Sequence, residues 1–148
     1  ADGGAGKADA DKSATLPERR PFAQASDQAA FKLVRGAILG ASLDITHPVG
    51  YGFGDDFLPG FRRSARFMDR AENGYSTPVL YTEEPLLSGY ISDENRKLAA
   101  GSAGMIIDEQ GQGAIVLVLD SPTFRAFWWG TQRLLVNTIF FGDLLEEP

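Results

Sequence analysis

A chain of 148 residues, 43% hydrophobic and 23% charged, has the make-up of one globular domain that buries roughly two-thirds of its unfolded surface. Its formal charge of −6, with Lys and Arg scattered apart from the pairs Arg19-Arg20 and Arg62-Arg63, argues against nucleic acid as a partner. Without cysteine there is no disulfide, thiolate metal site or cysteine nucleophile, and no apolar run reaches the ~18 residues of a membrane span.

Residues 1–15 are Ala, Gly, Asp, Lys and Ser without apolar periodicity, too little to offset the entropy of ordering them. With the residues up to 20 they read as a flexible linker, ahead of a folded part over 21–142 and a frayed tail over 143–148. The chain opens on Ala1 and shows no signal peptide, so a piece of a longer protein is expected. Ser26 as N-cap with Asp27 in the first turn predicts a helix ending at Gly36, with Ala30, Phe31, Val34 and Ala37 on one face. Residues 37–44 predict a strand. Residues 46–60, punctuated by His47-Pro48, Gly50, Gly52, Gly54 and Pro59, read as loop.

Short strands are predicted over 64–68 and 78–82. Ser92, followed by Asp93 and Glu94, predicts a helix with Lys97 near its end, closed by Gly101 or Gly104. Residues 103–108 and 114–119 predict a hairpin across Glu109-Gln110-Gly111-Gln112-Gly113. The unbroken Ile115-Val116-Leu117-Val118-Leu119 predicts a strand buried on both faces, in a sheet with helices on each side. Residues 133–141 predict a last helix with Leu134, Leu135, Thr138 and Ile139 toward the core, ended by Gly142. The sum is an α/β chain with an antiparallel pair near its end. A doubly wound sheet opens with a strand bearing its functional turn, whereas this chain opens with a linker and a helix, so the first half is expected upstream.

Few side chains offer chemistry. His47, just after a predicted strand, reads as a ligand-binding imidazole or as a corner held by Asp44, Thr46 and Pro48. A serine hydrolase would need Ser42 or Ser88 within its reach. Arg125, Trp128 and Trp129, with Phe124 and Phe127, form an aromatic cluster suited to a sugar ring or a peptide, with Arg125 on a carboxylate. Its structural alternative has the aromatics plugging the sheet end while Arg125 pairs with an acid such as Asp120. Glu83-Glu84 point to opposite faces of an extended segment and make a poor acid–base dyad. Gly50-x-Gly52-x-Gly54 lacks the spacing of a phosphate loop.

Three segments carry a resemblance. They are Leu43-Asp44-Ile45-Thr46-His47-Pro48-Val49-Gly50-Tyr51-Gly52, Glu84-Pro85-Leu86-Leu87-Ser88-Gly89-Tyr90-Ile91-Ser92, and Ser121-Pro122-Thr123-Phe124-Arg125-Ala126-Phe127-Trp128-Trp129-Gly130-Thr131, the last continuing from Arg133 to Gly142. In this order the chain, over roughly residues 20–142, resembles the C-terminal region of large M14-type zinc carboxypeptidases. That region is similar to class I glutamine amidotransferases. The resemblance implies part of a flavodoxin-like three-layer sandwich with a C-terminal β-hairpin and helix. It implies no peptidase chemistry here: the only histidine is followed by Pro48-Val49-Gly50, so no His-x-x-Glu exists, and one imidazole cannot hold a tetrahedral zinc. No cofactor is expected in this chain, and zinc is expected in a catalytic domain elsewhere in the polypeptide. The implied role is non-catalytic, as scaffold or substrate presenter to that domain, in the periplasm or outside the cell. The alternative is a stand-alone carbohydrate- or peptide-binding module.

Overall fold

The computed structural model describes residues 19, 21–25, 32–111, 113–126 and 128–145. The expected linker, apart from Arg19, lies outside the described residues, as do residues 26–31 of the first expected helix, Phe127 and the last three residues. Residues 32–36, which that helix would include, are not helical. Five strands, β1 (Ala37–Leu43), β2 (Phe57–Arg62), β3 (Val79–Gly89), β4 (Ala103–Gln110) and β5 (Gly113–Val118), form one sheet in the order β2-β1-β3-β4-β5. Two α-helices accompany it, α1 (Asp93–Ala99) and α2 (Gln132–Phe140). The α/β class expected from the sequence holds. Every neighbouring pair of strands is antiparallel, so this topology lends no support to the finer flavodoxin-like assignment, which rests on a mainly parallel sheet.

The strand expected at 64–68 is displaced to β2, inside what read as loop. Leu58, Gly60 and Arg62 turn inward there while Phe57, Pro59 and Phe61 turn out. Pro59 is tolerated because β2 is an edge strand, where a missing N–H leaves no ladder bond unmade. Of residues 64–68 only Met68 pairs, in a single bridge to Ala103. Alternation also fixes the core face of the other strands: Leu39, Ala41, Leu43, Val79, Tyr81, Met105 and Ile107 gather there with Val49 and Leu134. β3 continues to Gly89, beyond its expected end, with register irregularities against β1.

The β4–β5 hairpin forms as expected but with a tighter connection: pairing persists to Gln110↔Gly113, and Gly111 takes φ +67. β5 is not buried on both faces. Ala114 and Val116 pack on the core, while Ile115 and Leu117 stay 50% and 48% exposed on the outer face of the sheet. α1 starts as predicted, with the Ser92 hydroxyl accepting from Asn95 N–H at 3.3 Å and Asp93 and Glu94 in its first turn. α2 is rotated from its predicted face: Leu134 and Asn137 are the buried positions, whereas Leu135 and Ile139 face outward.

Candidate functional site

The loop after β1 is built by short polar contacts. Asp44 Oδ1 accepts from Thr46 N–H at 2.9 Å and from the Thr46 hydroxyl at 2.6 Å. His47 then caps a 3₁₀ turn over Pro48–Gly50, its Nδ1 accepting from Val49 N–H at 3.2 Å. α2 clamps the turn: Asn137 Nδ2 donates to the carbonyls of Val49 (2.7 Å) and Tyr51 (2.9 Å), and Arg133 donates to that of Gly52. Gly50 is required by close approach, since a Cβ there would lie 2.4 Å from the Asp44 carbonyl oxygen.

Burial lowers the pKa of the half-buried His47, against the opposing charge of Asp44; the Thr46 hydroxyl holds Asp44 below the ordinary carboxylate value. The imidazole borders a cleft of about 330 Å³ shared with Asp44, Tyr75, Glu109 and Leu144. Its Nδ1 is committed to the cap, so His47 is a corner residue with one ring edge left for contact. Ser42 and Ser88 are exposed strand residues with no hydrogen bond to it among the described residues. The residues around His47 do not make a tetrahedral zinc set, which takes three protein ligands. Among the described residues no group of three or more His, Cys, Asp or Glu lies close enough to hold a metal ion.

The aromatic cluster sits at a different place, where the end of β2 meets the loop after β5. Phe61 stacks against Phe124 at 4.3 Å between ring centres and lies 5.9 Å from Trp128. The Arg125 guanidinium lies 5.3 Å from the Phe124 ring, and Trp129 is 76% exposed. Arg125 (φ 50) and Ala126 (φ 55) are both left-handed, an uncommon state for residues with a Cβ. The structure thus brings Arg125 and Trp128 together around Phe124 and Phe61. Trp129 faces solvent, and His47 belongs to the other cleft.

Beside this cluster lies a network that sequence reasoning missed. The inward alternation of β2 places Arg62 in the core with no measurable exposure. Its Nη1 reaches the Tyr81 hydroxyl at 3.2 Å and Asp120 Oδ1 at 3.3 Å, and its Nε donates to the Ser64 carbonyl at 2.8 Å. The Tyr81 hydroxyl donates to Asp120 Oδ2. Nη2 has no hydrogen-bond partner among the described residues, and the guanidinium carbon lies 4.9 Å from the Phe67 ring centre, within cation–π range. Asp120 therefore pairs with Arg62, not with Arg125 as the structural alternative had it. Burial raises the pKa of Asp120 despite the Tyr81 hydrogen bond and the Arg62 charge. Burial, then the Asp120 charge, raises that of Tyr81.

Asp120 also forms part of the wall of an open cleft of about 390 Å³ with Phe61, Arg63, Ser64, Ser121 and Phe124. His47 and Asp120 thus border separate clefts, and Asp120 belongs to a buried charge network as well. No described helix is long and apolar enough to cross a membrane. Comparison with protein-family models, with curated proteins and with solved structures finds no match for this chain.

Proposed function

We propose that the chain is a non-catalytic accessory module of an M14-type zinc carboxypeptidase, which packs against other parts of the same polypeptide and scaffolds or presents substrate for chemistry done there. In this reading the antiparallel strands are the terminal portion of an amidotransferase-like domain whose remaining strands lie upstream. The zinc, and the export to periplasm or cell surface, belong to the whole protein.

One observation carries the packing role: the apolar outer face of the sheet. Phe57, Leu87, Ile115 and Leu117 lie on the side of the strands away from the core, each about half exposed (47–50%). Gly40 keeps the face flat between Phe57 and Leu87, since a Cβ there would meet the Phe57 ring at 3.0 Å and Leu87 at 3.4 Å. Covering a half-exposed aliphatic side chain gains about 1 kcal/mol, so a partner across this face is worth several.

The test has two parts. The coding frame upstream of Ala1 is expected to contain a His-x-x-Glu motif and a later histidine; a frame without them removes the peptidase assignment. In the longer chain, the amides of β5 are expected to exchange more slowly than in the 148-residue chain. Equal exchange in the two removes the packing role.

A second reading, a peptide- or carbohydrate-binding module, is favoured by the exposure of Trp129 (76%) next to the Phe61–Phe124–Trp128 stack. Saturable quenching of tryptophan fluorescence across a sugar and peptide panel supports it; a flat response throughout sinks it.

A further inference from the structure

We propose that the open cleft between the end of β2 and the loop after β5 binds a carboxylate carried on a flat apolar body, gripped by Arg63 of its wall together with the neighbouring Arg125, with the apolar body against Phe61 and Phe124. This deepens the peptide-binding reading above, on which it rests, by adding Arg63, Ser64 and Ser121 to the site, and it stands whether or not a peptidase is attached.

The two guanidiniums converge on one ring. That of Arg63 lies 5.6 Å and that of Arg125 5.3 Å from the centre of Phe124. Both side chains are exposed, and neither forms an ion pair among the described residues. The Asp120 carboxylate in the same wall would repel an anion if it stood alone, but both its oxygens are engaged, Oδ1 by Arg62 and Oδ2 by Tyr81. The charges of Arg62 and Asp120 cancel, which leaves those of Arg63 and Arg125 to set a positive potential in a chain of net charge −6. Ser64 and Ser121 add hydroxyls to the wall, and Phe61 and Phe124 supply the apolar floor.

The loop is held for this at a cost. The left-handed backbone of Arg125 and Ala126 costs about 1–2 kcal/mol per residue. The guanidinium fork matches a planar carboxylate in two parallel hydrogen bonds. Inorganic phosphate fits less well, because it has no apolar body to cover Phe61 and Phe124.

The test titrates the ¹⁵N-labelled full chain with N-acetyl-L-phenylalanine, its C-terminal amide, and inorganic phosphate, following the Ser64 and Ser121 amides. The acid is expected to give saturating shifts, with affinity about tenfold weaker for the amide and for Arg63→Gln or Arg125→Gln, the loss of one charge-assisted contact. Both variants change exposed side chains, and their amide spectra, unchanged away from the cleft, verify that each folds. Equal affinity for acid and amide, wild-type affinity in both variants, phosphate binding tighter than the acid, or no saturable shift in the millimolar range would each overturn the proposal.

Discussion

Arg62 sits in the core because β2 alternates, and its charge is tolerable only because Asp120 and Tyr81 come to meet it. Removing one partner of such a group is far costlier than its net worth. Arg62→Ala, which strands Asp120 without a cation, is expected to lose about 3–5 kcal/mol of unfolding free energy in denaturant. Tyr81→Phe, which removes one hydrogen bond and leaves the ion pair, is expected to lose about 1–2 kcal/mol.

The pH dependence has a definite sign at both titrating sites. Asp120 has a raised pKa, so its contribution is fully present below the ordinary 3.8 and declines as pH rises through the folded value. The stability of Asp120→Asn relative to wild type should therefore climb over that window, and the opposite slope would mean that the Arg62 and Tyr81 contacts outweigh burial. His47 has a lowered pKa, so its contribution is fully present above 6.5 and is lost as pH falls through the folded value. His47→Asn keeps a cap acceptor without titrating, and wild type should lose ground to it below pH 6.5. Of these residues the sequence marks His47, because a lone imidazole is conspicuous, and Asp120 only as a partner for the wrong arginine. Arg62 stands in the sequence only as half of an adjacent basic pair, since its burial depends on a strand that Pro59 and Gly60 disguise.

At the scale of elements, α2 matters less for its own helicity than for what Asn137 does to the loop after β1. Asn137→Leu keeps the volume but orphans the Val49 and Tyr51 carbonyls, at an expected cost of about 1–3 kcal/mol. Gly50→Ala should cost a similar 1–3 kcal/mol or so, because the added methyl meets fixed backbone. Thermal unfolding of the two variants checks both; wild-type stability in either would mean the clamp is slack. The helix itself was legible from residues 133–141, but its rotation was not, since a buried Asn137 looks polar until its carbonyl partners are known. α1 was legible because its signals are local: Ser92 caps it and Asp93 and Glu94 suit its dipole. The β4–β5 hairpin was equally plain, yet its apolar run misled about burial. A continuous Ile115-to-Leu119 stretch marks a strand, and only the strand order reveals that it lies at an edge.

For the whole molecule, the decisive property is a sheet with one face packed and the other open, carrying half-exposed Phe57, Leu87, Ile115 and Leu117. Ile115→Lys combined with Leu117→Lys should leave unfolding free energy within about 0.5 kcal/mol, because both side chains are half exposed. The same pair should abolish any concentration-dependent association of the chain in sedimentation, and association unchanged in the variant would place the contact elsewhere. Overall class was readable from the mix of elements. Strand direction was not, because pairing partners far apart in the chain leave no mark on local pattern. The Arg62–Asp120 contact has a consequence in time as well as in space, for 58 positions separate the two. A ribosome delivers the cation well before its counter-charge exists. The strands made first can find their register but cannot shed water around that guanidinium, so the interior dries only when the last third of the chain arrives.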